Sequence, residues 1–551
     1  MAARRGRKRS RARRTGWLVL AVFLGLSAPA AAAGKVAEKR PNILLILADD
    51  LGYSDIAPYG GEIPTPNLSW LAGQGLALDN FYASPSCSPT RAMLLTGQDH
   101  HRVGFGSMEE RIAPNQIGRP GYETYLNARS VSVAELLRRA GYLTAMAGKW
   151  HLGAGEEHSP AANGFDRSFV LLEGAGSHFP DRLGTFASEP VAHYRENGRM
   201  VERLPSDFFS TRFYTDYILS AIDESRRERK PFFAYLAYTA PHWPLQAPDA
   251  YLRHAQGRYD AGHEAIWRQR LARMMQLRIL HVGQPAPAHF SRAWQDMPLA
   301  DRAVEAKRME IYSAMVEQMD DEIGRVLRHL ADGGDLANTL ILFLSDNGAE
   351  GVQPDRFPRN APWVARTFDN SLDNMGRAGS YISYGPDWAA VSAAPHGGSK
   401  GSVAEGGIKV PAIVAGPALG IRRGERSAAL MTIRDLPVSL LALAGVKAPD
   451  SYSGRSILAH ARGRQPRVHG AEELFGWELH GSRAMRQGNW KLSRQASPQA
   501  AWQLFDLAAD PGETRDIAAA KPSRAARLAE YWRRYAAANG VVSPEPSGAG
   551  R

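Results

Sequence analysis

Two short, nearly continuous apolar runs constrain the fold of this chain more than any other feature. One covers residues 42–48 and the other residues 339–344. Runs of this length without alternation are typical of strands buried on both faces, as in parallel sheets covered by helices. Helical patterns lie between them at 130–139, 211–229 and 303–330. The sequence therefore predicts an α/β protein with a large mixed, mostly parallel sheet sandwiched by helices.

Oxygen-bearing side chains follow each of these runs. Asp49 and Asp50 come directly after the first, and Asp346 and Asn347 follow Ser345 after the second. If the two strands are parallel neighbours, the four side chains meet at one edge of the sheet, where open α/β sheets bind ligands. Taken alone, an acidic pair there is more often a turn or a helix cap. Four oxygen donors without histidine clusters or thiolates favour Ca²⁺ or Mg²⁺ over zinc.

Cys87 is the only cysteine of the chain, so it has no partner for an intramolecular disulfide. Pro89, the apolar residues after it and Gly97 predict a helix that begins near the cysteine. Arg91 lies one turn further on the same face. The helix dipole and this guanidinium favour an anionic group at position 87. On local chemistry alone, a buried and unreactive thiol explains the cysteine equally well.

Three further segments place lysine or histidine side chains after strand patterns or in loops rich in proline and glycine. They contain Lys149 and His151 after the strand pattern at 142–146, His242 between Pro241 and Pro244, and Lys400 in the stretch 396–401. Taken singly, a lysine or histidine in such a place is more often a surface or hydrogen-bonded residue.

The segment from Ser84 to Gly97 reads Ser-Pro-Ser-Cys-Ser-Pro-Thr-Arg-Ala-Met-Leu-Leu-Thr-Gly. It resembles the signature of the type I sulfatases, which belong to the alkaline phosphatase superfamily. The blocks around Asp49, Lys149, His242, Asp346 and Lys400 support the resemblance, and matches near the C-terminus suggest the bacterial arylsulfatase branch. The resemblance implies an alkaline phosphatase-like fold. It also implies that a separate maturation enzyme oxidises Cys87 to formylglycine (3-oxoalanine), whose hydrate is the nucleophile.

The same resemblance implies the ligand set and the roles of the basic residues. Calcium, with magnesium as the less favoured ion, would be held by Asp49, Asp50, Asp346, Asn347 and the modified residue 87. Arg91, Lys149 and Lys400 would bind the sulfate oxygens, although Arg91 could also hold the helix and the modified side chain. His242 or Lys400 would protonate the leaving oxygen. His151 would be the base that helps to expel sulfate.

Residues 1–33 have the three-part pattern of a secretory signal peptide. Eight basic residues within 1–15 precede an apolar run from Trp17 to Leu26 and small residues up to Ala33. This pattern predicts a periplasmic or secreted protein, with an uncleaved membrane anchor as the alternative. Without these eight charges the formal net charge falls from +11 to +3, which does not favour nucleic-acid binding. No later stretch predicts stable membrane insertion after leader removal.

Glycine, proline and polar residues become more frequent near residues 448–464 and predict a domain boundary. We expect a catalytic domain at 34–455 and a small C-terminal α+β domain with antiparallel strands at 456–551, as the sulfatase resemblance implies. Residues 249–301 are expected to form a helical insertion that either covers the sheet or pocket or lies at the periphery.

The expected function is hydrolysis of sulfate monoesters, such as aryl sulfates, to an alcohol or phenol and inorganic sulfate. The substrate would be a small-molecule or glycan sulfate ester. A phosphodiesterase or phosphonate monoester hydrolase of the same superfamily is one alternative, because a fold alone does not fix the reaction. A non-catalytic protein that binds sulfated glycans in a basic pocket is another.

Overall fold

Both apolar runs are strands in the computed structural model, which describes residues 40–287, 290–497 and 499–545. They extend over Asn42–Ala48 and Thr339–Ser345, and every residue in both is buried. The two strands pair in parallel, with Asn42 opposite Thr339 and Ala48 opposite Ser345. The polar residues that follow them therefore start at the same edge of the sheet. The predicted signal peptide at 1–33 lies outside the described residues.

The strands of the described residues are β1 (Asn42–Ala48), β2 (Gly75–Leu78), β3 (Phe81–Tyr82), β4 (Leu143–Lys149), β5 (Arg167–Leu171), β6 (Leu183–Phe186), β7 (Glu189–Val191), β8 (Tyr194–Glu196), β9 (Arg199–Val201), β10 (Phe232–Ala237), β11 (Thr339–Ser345), β12 (Lys409–Val410), β13 (Ala412–Ala415), β14 (Glu425–Ser427), β15 (Met431–Thr432), β16 (Leu474–Leu479), β17 (Ser482–Gln487), β18 (Trp490–Arg494) and β19 (Gln503–Asp506). Their α-helices are α1 (Pro66–Gly73), α2 (Cys87–Thr96), α3 (Val133–Arg139), α4 (Ser210–Glu228), α5 (Asp249–Ala255), α6 (His263–Gln276), α7 (Leu299–Asp332), α8 (Ala361–Thr367), α9 (Gly385–Ala393), α10 (Glu405–Ile408), α11 (Asp435–Leu443), α12 (Leu458–Ala461) and α13 (Pro522–Asn539).

The largest sheet has ten strands in the order β14, β2, β13, β11, β1, β10, β4, β5, β8, β9. Its central strands, from β11 to β5, are mutually parallel. Antiparallel pairs join β13 to β11 on one side and β8 to β5 on the other. The prediction of a large mixed, mostly parallel sheet is confirmed.

Both faces of the sheet are covered, which explains why β1 is apolar at nearly every position. Leu44 and Ile46 belong to a core that includes residues of α4 and α7. Ile43, Leu45 and Leu47 belong to a second core that includes residues of α2, α3 and α11. Successive side chains of a strand point to opposite faces, so a strand between two helical layers needs apolar residues throughout.

The described part of the segment at 249–301 contains α5 and α6, in line with the expected helices, and contributes to the core on the α7 face. Its buried residues there include Leu252, Ile266 and Met274. This packing favours the sheet-covering alternative over a peripheral excursion. None of the helices in the described part of the chain is long and apolar enough to cross a membrane.

A four-stranded antiparallel sheet, β16 to β19, lies near the C-terminus. Leu528 and Trp532 of α13 pack against Met485, Leu492 and Leu504 of this sheet. The expected small antiparallel α+β region is therefore present. The boundary between 455 and 456 stays a prediction.

A buried histidine connects this region to the main body. His101 Nδ1 lies 2.9 Å from Asp99 Oδ1, and His101 Nε2 lies 2.8 Å from Glu478 Oε2 in β16. Burial lowers the pKa of His101, but the hydrogen bonds to Asp99 and Glu478 outweigh burial and raise the pKa to about 9. The imidazole is therefore a cation between two carboxylates at neutral pH.

We expect this contact to stabilise the protein in a pH-dependent way. A folded-state pKa above the ordinary value of 6.5 means that the full contribution is present below pH 6.5 and is lost as the pH rises through about 9. The difference between the two pKa values corresponds to about 3 kcal/mol. Urea unfolding of wild type and His101→Gln should show the largest difference at pH 6 and a much smaller one at pH 10. A difference that does not change with pH would contradict this account.

Candidate active site and metal centre

The predicted site residues meet at the carboxyl edge of the parallel strands. Asp49 and Asp50 follow β1, Asp346 and Asn347 follow β11, Lys149 ends β4, and His242 lies in the loop after β10. Cys87 is the first residue of α2, and the side chain of Arg91 reaches Asp346. A parallel arrangement brings these strand ends together, although they are separated by up to about three hundred positions in the chain.

A cluster of oxygen atoms forms the centre of the site. Asp49, Asp346 and Asn347 are fully buried, and Asp50 is nearly so. Ligand atoms of Asp49, Cys87 and Asp346 lie within 4.8 Å of one another. Asn347 Nδ2 donates to Asp50 Oδ1 at 2.6 Å, which leaves the amide oxygen Oδ1 of Asn347 as an acceptor.

The hydrogen bonding of two of these oxygens indicates whether the site suits a cation. Asp49 Oδ1 and Asn347 Oδ1 are buried and accept no hydrogen bond from any described residue. The guanidinium nitrogen Arg91 Nη2 is 3.7 Å from Asp49 Oδ1. Buried acceptors without donors are unfavourable, and a divalent cation with oxygen ligands would satisfy both. The donor set therefore fits such an ion.

Three cationic side chains balance the carboxylates. Arg91 Nε and Nη2 donate to Asp346 Oδ2 at 3.0 and 2.8 Å, and its Nη1 donates to the backbone oxygen of Lys149 at 2.9 Å. Lys149 Nζ donates to Asp49 Oδ2 at 2.7 Å. Lys400 Nζ lies 2.9 Å from Asp50 Oδ1. Arg91 thus contacts a candidate metal ligand and the end of β4, and its role toward residue 87 stays a prediction.

The two histidines are poised as neutral imidazoles. His242 Nδ1 lies 2.6 Å from the backbone oxygen of Trp243, and Nε2 lies 3.3 Å from Asp50 Oδ2. Burial, followed by the charges of Lys400 and Lys149, lowers the pKa of His242 well below its ordinary value. Burial and then the Lys149 charge lower the pKa of His151 in the same way. Both shifts favour the neutral form of the rings.

His151 occupies a tight corner beside Gly174. A Cβ atom on Gly174 would lie 2.7 Å from His151 Cε1, so a larger residue there would displace the ring. His151 Nδ1 is buried and has no hydrogen-bond partner among the described residues. The ring is held by packing and keeps one nitrogen available for another partner.

The environment of Cys87 does not favour the anionic group that the helix dipole and Arg91 indicated from the sequence. Burial raises the pKa of the Cys87 thiol, although Lys149 and Lys400 oppose this. Asp49 and Asp346 raise it further. The local pattern revealed the helix dipole and Arg91, but it did not reveal full burial beside two carboxylates. An unmodified thiol here is protonated near neutral pH and is a weak nucleophile.

Sequence reasoning missed Glu350. Its side chain is almost buried, and Oε2 lies 3.4 Å from Lys400 Nζ. Burial raises the pKa of Glu350 to about 7, and the Lys400 charge opposes this rise. Its position shortly after Asp346 and Asn347 was the one available signal, because Lys400 is 50 positions away in the chain.

Comparisons with known proteins agree with this geometry. The sulfatase family model matches residues 41–446. The chain belongs to the sulfatase family. A second model, N-sulphoglucosamine sulphohydrolase, C-terminal, matches residues 399–533 of this sulfatase. The predicted resemblance to type I sulfatases is thereby confirmed.

Individual relatives cover most of the sulfatase. An uncharacterized sulfatase of Schizosaccharomyces pombe is 40% identical over 93% of this chain and 96% of its own length. An arylsulfatase of Klebsiella aerogenes is 40% identical over 76% of this chain and 90% of its own length. The solved structure of Ps i-CgsB, at 24% identity, has a TM-score of 0.66 and covers 91% of this chain and 94% of its own, which shows a shared fold. This sulfatase is a hydrolase of sulfate esters.

Proposed function

We propose that this sulfatase hydrolyses aryl sulfates or similar sulfate monoesters with Cys87 converted to formylglycine. The observation that carries the proposal is that the buried Cys87 Sγ lies within 4.8 Å of carboxylate oxygens of Asp49 and Asp346. The charges of Lys149 and Lys400 also act on this thiol. A formylglycine-generating enzyme would be its maturation partner. We also propose a periplasmic or secreted location, based on the signal-peptide pattern of residues 1–33.

The cation we propose is calcium, with magnesium less favoured. Its ligands would be Asp49, Asp50, Asp346, Asn347 and the modified residue 87. Asp49 Oδ1 and Asn347 Oδ1, which accept no hydrogen bond within the described part of the chain, support this set. When bound, a divalent cation supplies positive charge that stabilises negative charge developing in the transition state.

The chain's own residues provide the remaining functions. Formylglycine, when present and hydrated, supplies hydroxyl groups where the protonated thiol offers a weak nucleophile. Lys149 and Lys400 are buried cations placed to bind sulfate oxygens. His151, whose Nδ1 has no hydrogen-bond partner among residues 40–287, 290–497 and 499–545, would accept a proton from the side chain at position 87. His242 and Lys400 both contact Asp50, and either could protonate the leaving oxygen.

Aryl sulfate, phosphodiester and phosphonate monoester substrates should be assayed side by side with protein from its natural host. We expect the highest kcat/KM with the aryl sulfate. A clear preference for the phosphodiester or phosphonate would instead favour the related hydrolase function. Mass spectrometry of the peptide containing Cys87 should show conversion to formylglycine. An unmodified thiol together with tight binding of sulfated glycans would favour the non-catalytic alternative.

A further inference from the structure

Lys400 has two carboxylate partners in the described structure. Its Nζ lies 2.9 Å from Asp50 Oδ1 and 3.4 Å from Glu350 Oε2. Both carboxylates are almost fully buried, as is most of the lysine side chain. One of the two partners, Asp50, belongs to the oxygen cluster that fits a cation. Glu350 does not belong to this cluster. Its Oε2 therefore remains a partner of Lys400 when Asp50 binds a cation.

The backbone fixes Glu350 relative to Lys400. The amide of Lys400 donates to the backbone oxygen of Ala349 at 2.9 Å. The amide of Val352 donates to Glu350 Oε1 at 2.8 Å, which orients the carboxylate with Oε2 toward the ammonium group. The amide of Gly348 donates to the backbone oxygen of Gly407 at 3.0 Å, which is a second backbone hydrogen bond between the two segments. Glu350 is thus a rigidly held partner of Lys400.

His242 Nδ1 is engaged with the backbone oxygen of Trp243 at 2.6 Å, and a backbone oxygen only accepts hydrogen bonds. The Lys400 ammonium carries three protons, and one contact with Glu350 leaves others free.

We propose that Glu350 is a positioning residue that keeps the Lys400 ammonium directed at the leaving oxygen of the ester when Asp50 is engaged with the cation. This inference rests on the proposed function of the site. Without Glu350, Lys400 would have Asp50 as its only carboxylate partner among the described residues. The ammonium would then be drawn toward the oxygen cluster and away from the ester.

The test uses Glu350→Gln and a series of aryl sulfates whose phenols differ in pKa. A poor leaving group needs a proton and an acidic phenol does not, so we expect kcat to fall roughly tenfold to a hundredfold for the least acidic phenol and to change little for the most acidic one. KM should change less than kcat. An equal loss across the series would overturn the inference, because it would indicate a general structural defect.

Glu513→Gln is the matched control. Glu513 is also a buried carboxylate paired with a buried lysine, with Oε1 3.0 Å from Lys491 Nζ in the C-terminal region. Its removal should leave the dependence on the leaving group unchanged. If kcat of this control also fell most for the least acidic phenol, the inference would be overturned, because the loss of any buried ion pair would then produce that dependence.

Calcium titration calorimetry adds a measurement that does not depend on turnover. Because Lys400 would compete for Asp50, Glu350→Gln should weaken calcium binding roughly tenfold, and Glu513→Gln should not. Unchanged calcium affinity in Glu350→Gln would count against the inference. If that variant does not fold, Glu350→Asp, which keeps the charge but withdraws the carboxylate, should show smaller changes in the same directions. Wild type that hydrolyses none of the aryl sulfates would refute the proposed function, while the calorimetry would still decide on Glu350.

Discussion

Cys87→Ala is expected to lower kcat/KM for aryl sulfates by about 10⁵-fold. Loss of a nucleophile from a preorganised site costs rates of this order, because the remaining groups bind the ester but cannot attack it. Alanine suits the first residue of α2 and leaves only a small space, so folding should be retained. An aryl sulfate assay combined with circular dichroism would separate loss of chemistry from loss of structure.

Ser88→Ala is a suitable control for this variant. Ser88 is buried in the same first turn of α2, directly after Cys87, and no role in the site is assigned to it. We expect its kcat/KM to stay within about tenfold of wild type, which is a barrier change of about 1.4 kcal/mol. If Cys87→Ala kept a rate similar to that of Ser88→Ala, position 87 could not be the source of the nucleophile.

The sequence was most informative where burial imposes a simple pattern. β1 and β11 must be apolar on both faces, so their ends could be located from the first polar residues, Asp49 and Ser345. Their parallel register then brought the oxygen donors together as predicted. The apolar stretch around Pro411 forms two strands, β12 and β13, because Pro411 has no amide hydrogen to donate and separates them.

Contacts between distant segments could not be predicted in the same way. Glu350 and Lys400 pair across 50 positions, and His101 reaches Glu478 across 377. Neither pair has a local signal, because charged side chains are normally solvated. The pKa of Cys87 was missed for the same reason. Its rise depends on burial by several segments, whereas the sequence revealed only the neighbours within one helix.

Asp346→Asn should show the second large effect, on both stability and cation binding. Asp346 is fully buried and is the carboxylate that accepts two hydrogen bonds from Arg91. Asparagine has nearly the same shape but no charge, so the buried guanidinium would lose its main counter-ion. Breaking a buried ion pair in this way costs about 3–5 kcal/mol. Urea unfolding in the presence of a chelator should measure that loss, because it excludes any contribution from bound cation.

Calcium titration of the same variant addresses the proposed role of Asp346 as a cation ligand. We expect affinity to fall at least about a hundredfold, because a charged ligand is replaced and Arg91 is no longer held. Asp320→Asn is the control, since Asp320 is equally buried but accepts hydrogen bonds from the amides of Asn67 and Leu68. It should cost about 1–3 kcal/mol and leave calcium affinity unchanged. If both variants bound calcium like wild type, Asp346 would serve Arg91 alone and the cation would have to be held without it.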